Sequence, residues 1–546
     1  MKSFNKILLL LVAGMLFSCE LNRIPTDSVV DEEFWKTEQD YVLACNAFYV
    51  KLPTYDKRDQ YSDIGYSGSP NEISSGTYLP ENNFGPWDED YKNIALANKV
   101  IQFAQSNPNK LDDAIVKRYE GEARFFRAIQ YYDLLRSYGG VPIVDKMLDI
   151  NSEELYAPRD SRSDVVDFIL QDLDFASKNL PLQSKLKDEE QGRFTSGAAY
   201  TMLSRVALYE GTRQKFLGNG EYTKLLEMSR DAALNVINSN EYDLFTSANN
   251  DPVLNYQQCF IYEGEGSKET VLANRYIKPW RKHSFAMVIR TSDNCPTRAI
   301  VDAYLCDDGL PISVSDKFLG FAEPSSEFQN RDSRMRASLL VPYDDLSYDL
   351  RPFEPTFGNG ASQTGYVWKK MGVYEDATAL EGDCDVIIIR YAEALLNYAE
   401  ACFELNETIE DSELEISINK LRQRVNMPKL TNSFINGGNP KGVKLDMREE
   451  IRRERLVELA NEGFRYDDLL RWGIADEVLK KPLLGIPDLR EFYTYVGENV
   501  WKKVKNGFVE VQPASTRFFE DKNWLWPIPL MQIALNPNLE QNPKWK

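Results

Sequence analysis

Two stretches of the chain place flat aromatic rings beside polar side chains, with no regular periodicity around them. In the first, residues 55–87, Tyr66, Tyr78 and Trp87 stand among Gly65, Gly68, Gly76, Gly85, Pro70, Pro80 and Pro86. Glycine and proline at that density break helical and strand periods alike, so the stretch reads as a long ordered loop of the kind that carries function. In the second irregular zone, roughly 250–366, Tyr276, Trp280, Arg281 and His283 fall close together. A sugar ring has apolar C–H faces and hydroxyls round its edge, and is held by aromatic platforms with a few oriented polar groups. Those seven residues offer that combination. Each also has a structural alternative, because aromatics in irregular segments pin loops to a core. Pinning is the favoured reading for Trp87, which leads directly into a helix, whereas Trp280, beside Arg281, is evenly balanced.

Catalytic chemistry is poorly supplied. Glu454, Glu458 and Glu462 raise the question of a glycosidase pair, which needs two carboxylates in one cleft about 5–9 Å apart. Neighbouring arginines would hold those carboxylates ionised, unsuited to a general acid. His283 is the single histidine, there is no GxSxG nucleophile turn, and no GxxxxGK[ST] phosphate cradle occurs. The seven cysteines, at 19, 45, 259, 295, 306, 384 and 402, contain no CxxC pair; most are expected to be buried packers. No catalytic residue, metal site or cofactor is therefore expected. A net charge of −20 would repel a phosphate backbone, which argues against a nucleic-acid partner.

The elements that must position the loops are helical. Paired helices are expected over 114–140 and 161–181, over 195–211 and 221–240, and over 387–405 and 412–425. Ala198, Ala199, Ala232, Ala233, Ala392, Ala394 and Ala399 recur where paired helices would approach closely. This is how tetratricopeptide-type repeats are built, with a generic helical bundle as the alternative. Leu456, Leu459 and Ala460 form a helical stripe, and Gly463 is placed to end that helix as a left-handed cap. Trp524 and Trp526, beside the two prolines of LWPIP, read as structural packers.

At the N-terminus, Lys2 and Lys6 precede an uncharged run from Ile7 to Phe17. Those eleven residues would rise only ~16 Å as a helix, about half a bilayer's hydrocarbon thickness, so they suit a signal-peptide core. Residues 1–18 are read as a signal peptide, and Leu16-Phe17-Ser18-Cys19 resembles a bacterial lipobox, making Cys19 an acylated N-terminus. The polar segment 19–34 then forms a flexible tether reaching up to ~50 Å.

The strings EARFFRAIQYYDLLRSYGGVPIV (122–144), GRFTSGAAYTMLSRVALYEG (192–211), FQNRDSRM (328–335), ERLVELANEGFRYDDLLRWG (454–473) and LWPIPLMQIALNPNLEQNP (525–543) resemble successive signatures of the SusD/RagB family. The segment IPTDSVVDEEFWKTEQD (24–40) is similar to the family's post-lipobox stretch. The resemblance implies a mainly α fold, a tetratricopeptide-like scaffold supporting a loop-rich, aromatic-containing lobe. It divides the mature chain into an N-terminal helical region, 35–240, and a C-terminal region, 250–546, that includes the irregular loops 250–366. It further implies a non-catalytic lipoprotein, anchored by lipid in the outer membrane and facing the cell exterior. Such a protein captures oligosaccharide or another nutrient and sits as a lid on a SusC-like TonB-dependent transporter. Family members contact sugars through variable loops, so Tyr66, Tyr78, Trp87, Tyr276, Trp280, Arg281 and His283 are candidates from sugar chemistry alone. A glycoside hydrolase and a tetratricopeptide-type protein adaptor are the alternative functions.

Overall fold

A computed structural model describes residues 34–56, 58–82, 85–218, 220–286, 294–342 and 362–545. The signal-peptide segment 1–18, Cys19 and the tether as far as residue 33 lie outside the described residues. The scaffold is a succession of antiparallel helices: α1 (Glu38–Tyr49), α2 (Trp87–Ser106), α3 (Asp113–Tyr138), α4 (Arg162–Asn179), α5 (Ser196–Leu217), α6 (Tyr222–Asn238) and α7 (Tyr391–Asn406). From α2 onwards each packs on the next, as tetratricopeptide-like pairs do. Local chemistry fixes their ends. Asp112 accepts the Ala114 N–H at 2.8 Å to start α3, and the Ser161 hydroxyl accepts the Asp164 N–H at 3.1 Å to start α4. The alanines singled out above are all buried, and Gly197 lies so close to Tyr242 that a Cβ there would meet its hydroxyl at 2.2 Å.

Three expectations are corrected. The stretch 387–405 is not one helix, because Val386–Arg390 forms strand β4 and α7 begins only at Tyr391. Three consecutive isoleucines, Ile387 to Ile389, prefer a pleated backbone, and here they pair with strand β2. The stretch 412–425 divides into α8 (Asp411–Glu415) and α9 (Ile418–Arg424). Between them the Ser417 hydroxyl donates to the Glu413 carbonyl at 2.5 Å, a local bond that competes with helix continuation. Nor does Gly463 cap its helix: α10 (Met447–Glu458) ends earlier, and the chain turns through Asn461 at φ +63°. Gly463, at φ +84°, instead permits close approach to Asp56, whose carboxyl carbon would lie 2.4 Å from an added Cβ.

Strands are few and short. β1 (Gly65–Tyr66) pairs with β3 (Cys295–Pro296), and β2 (Thr270–Asn274) with β4. β5 (Leu483–Pro487), β6 (Val504–Lys505) and β7 (Phe508–Gln512) form a sheet in the order β5-β7-β6. One core unites α1 to α7 with Trp526 and Trp545 from the C-terminal segment, so Trp526 is the packer it was read as. A second core, around Tyr304, Trp368, Tyr493 and Trp501, supports the irregular lobe. All six described cysteines are buried, and none of them forms a disulfide.

Candidate functional site

The second aromatic stretch forms a turn clamped at its base. Ile277 and Arg281 exchange backbone hydrogen bonds of 2.9 and 2.8 Å, which leaves Lys278, Pro279 and Trp280 at the tip. The segment Glu381–Asp385, just before β4, holds the rest. Asp385 accepts the Tyr276 N–H at 2.8 Å, Asp383 accepts the Lys278 N–H at 3.0 Å, and Gly382 pairs both backbone groups with His283. Tyr262 closes the clamp by donating its hydroxyl toward Asp376 at 2.8 Å and Asp383 at 2.9 Å. Sequence reasoning missed Tyr262 and this acidic clamp; the run EGDCD beside a loop was their signal.

On this braced turn Trp280 points into solvent, 85% exposed, with Ile277 also exposed beside it. The Arg281 guanidinium lies 4.5 Å above the Tyr276 ring and donates through Nη1 to the Arg275 carbonyl at 2.8 Å. Its other N–H groups meet no partner among the described residues. Tyr276 packs edge-on against His283 with centroids 4.7 Å apart. His283 is a brace rather than a ligand group. Its Nε2 donates to the Cys384 carbonyl at 2.8 Å and its Nδ1 accepts the Phe285 N–H at 3.2 Å, so both ring nitrogens are engaged. Burial lowers its pKa, which keeps the ring neutral at pH 7.

None of the three candidates in the first aromatic stretch is an open ring. Tyr66 is buried in β1 opposite Cys295, Tyr78 is 1% exposed against Trp545, and Trp87 is buried edge-on against Tyr138. The irregular backbone turned these rings inward, the alternative that sequence spacing could not separate from ligand contact. Of the seven candidates, the structure therefore brings together Tyr276, Trp280, Arg281 and His283.

The clustered glutamates are held as internal ion pairs. Glu454 accepts from Arg334 and Arg422, Glu458 from Arg334, Arg390 and Arg424, and Glu462 from Arg390 and Lys370. Burial alone would raise the Glu458 pKa, but Arg424, Arg390 and Arg334 outweigh it and hold the carboxyl well below its ordinary range. Glu462 is likewise lowered, by Arg390 and Lys370 against burial. Neither can serve as a general acid near neutral pH.

Comparison with known proteins agrees with this architecture. A family model described as the SusD family matches residues 290–545, and a second, described as starch-binding associating with outer membrane, matches residues 57–208. The chain belongs to the SusD/RagB family. SusD-like protein P38 of Formosa agariphila is 27% identical over 572 residues, covering 99% of each chain. The crystal structure of a SusD-like carbohydrate binding protein from Bacteroides fragilis has a TM-score of 0.76 at 25% identity, covering 93% of this chain and all of that one. A laminarin binding SusD-like protein shares the fold, with a TM-score of 0.64 at 19% identity over 93% of this chain and 100% of its own.

Proposed function

We propose that the chain is an outer-membrane lipoprotein that binds oligosaccharide or another nutrient outside the cell and delivers it to a SusC-like TonB-dependent transporter. The region 35–240 would serve as its scaffold, and 250–546 would present the ligand surface. One observation carries ligand binding: Trp280 stands 85% exposed on a turn that neighbouring segments clamp in place. An isolated indole in water gains by covering one face with an apolar partner, and the C–H face of a pyranose fits it. Arg281 stands beside it with N–H groups to offer a ring hydroxyl. The family relatives, among them a carbohydrate binding protein of B. fragilis, support this reading. Binding is expected without turnover. The lipid anchor rests on the Cys19 sequence, and the outward orientation and the transporter partnership rest on the family.

Calorimetric titration against a glycan panel that includes laminarin, starch oligosaccharides and xylan, with a parallel assay for new reducing ends, tests the reading. Trp280→Ala should weaken the glycan that binds by ~1–3 kcal/mol, one to two decades, with an unchanged melting temperature. Trp526→Ala, which opens a hole in the main core, should instead destabilise the fold by about 3–5 kcal/mol. Wild-type affinity in folded Trp280→Ala would move the site away from the turn, and sustained hydrolysis would return the protein to the glycosidases.

A further inference from the structure

A cavity of about 360 Å³ lies inside the molecule, between the loop 53–58, helices α3 and α5, strand β4 and the segment 461–471. Its volume falls within the range of sites that hold small molecules. Ile387 and Ile389 of β4, Met202 of α5 and Met371 give it an apolar side. Asp56, Arg58, Tyr132, Asp133, Arg136 and Asp467 give it a polar one. A much smaller void of about 20 Å³ adjoins it, bounded also by His283 and Phe285 at the base of the Trp280 turn. Tyr55, Met371, Val386 and Ile387 line both spaces. Tyr55 is fixed there by hydrogen bonds of 2.5 Å to Asn461 and 2.8 Å to Asn294.

One feature gives the polar side unused hydrogen-bonding capacity. The ring of Tyr132 is 5% exposed, yet its hydroxyl meets no hydrogen-bonding partner among the described residues. Buried polar groups are ordinarily satisfied, so an unpartnered hydroxyl on a cavity wall asks for an occupant. The formal charges, by contrast, are largely matched. Asp467 accepts from Arg58 at 3.1 Å and from Arg136 at 2.8 Å, and Arg136 also pairs with Asp133. Arg205, Arg455, Arg471 and Glu462 spend their charges on Glu393, Asp468, Glu400 and Arg390. An anionic ligand would find no surplus counter-charge, and burial raises the pKa of Asp56, the carboxylate here without an ion pair among the described residues, toward its neutral form. A neutral one would find donors, acceptors and an apolar wall together.

We propose that this cavity is a second ligand site, which takes one neutral hydroxyl-rich ring of monosaccharide size and engages it first through the Tyr132 hydroxyl. The ring's C–H face lies on the isoleucine and methionine wall, and one of its hydroxyls reaches Tyr132. The inference does not depend on the Trp280 turn, because no residue at the tip of that turn lines the cavity.

Ligand-observed NMR and calorimetry with glucose, galactose and xylose, and with glycine as a small charged control, test the proposal. Wild type should bind at least one of the sugars and not glycine. Tyr132→Phe removes only an unpartnered hydroxyl, so it should keep the wild-type melting temperature while weakening that sugar about three- to tenfold. Ile387→Phe should abolish its binding by filling the space. The proposal is overturned if wild type binds none of the sugars, or if glycine competes with them. It is equally overturned if Tyr132→Phe binds like wild type. Oligosaccharide binding lost only in Trp280→Ala, with no monosaccharide bound, would sink this second site and leave the turn standing.

Discussion

At the scale of single residues, burial decides what a side chain does, and sequence reports burial unevenly. Tyr78 and Trp280 have similar sequence surroundings, glycine or proline close by and polar neighbours, yet one is 1% and the other 85% exposed. Nothing local separates them, because the outcome depends on Trp545 reaching Tyr78 from the far end of the chain. The glutamates were more legible. A carboxylate in an arginine-rich helix carries its own counter-ions, and Glu458 is paired as its neighbourhood implies. Asp90 of α2 is the opposite case, buried with one carboxylate oxygen unpartnered. Burial first, and then Asp133, push its pKa up to about 9. With the folded value above the unfolded one, its contribution to stability is fully present at pH below about 3.8 and is lost as pH rises toward 9. Asp90→Asn keeps the shape without the charge, so it should melt a few degrees above wild type at pH 8 to 9 and converge with it toward pH 4. Parallel curves across that whole range would show that Asp90 ionises freely.

Among elements, the repeats were readable and the breaks between them were not. Buried alanines at helix-pair spacing predicted the pairing of α5 with α6, because close approach needs small side chains whatever else surrounds them. β4 was hidden because a buried strand and the first turn of a buried helix both read as an apolar run, and only pairing with β2 chose the strand. What joins these elements is charge. Glu400 of α7 accepts from Arg471 and the Trp472 indole, Glu458 of α10 pairs with Arg390 of β4, and Arg422 of α9 pairs with Glu454 of α10. Burial would raise the Glu400 pKa, but Arg471 and Arg455 bring it down to about 2. Glu458 and Glu462 are lowered as well, so the stability these three contribute is present above about pH 4.5 and lost as pH falls through their folded values. Urea unfolding should therefore give a steep loss between about pH 4.5 and 2. Glu400→Gln should cost about 3–5 kcal/mol at pH 7, since it leaves buried arginines short of charge, and should flatten that acid limb. An acid limb as steep as wild type would place the titration elsewhere.

For the whole molecule, the question is how a folded body in water stays at a membrane. No helix among the described residues is long and apolar enough to cross one. The described fold begins at Phe34, and Trp35 is already locked into the core, stacked 4.7 Å from Phe103. Each buried acyl CH₂ contributes about 0.8 kcal/mol, and several chains on one cysteine would hold firmly where one would not. On the proposed reading the anchor and the ligand surface are independent: the anchor would be Cys19, and the ligand surface would be the turn that Glu381–Asp385 fixes. Cys19→Ala should accordingly shift the protein from the membrane fraction to the soluble one, while the purified variant keeps both the melting temperature and the glycan affinity of wild type. Fractionation after a salt wash that strips protein partners is the deciding measurement, because contact with a transporter could otherwise retain an unlipidated chain. A Cys19→Ala protein that survives that wash in the membrane pellet would sink the lipid anchor and leave the glycan site untouched.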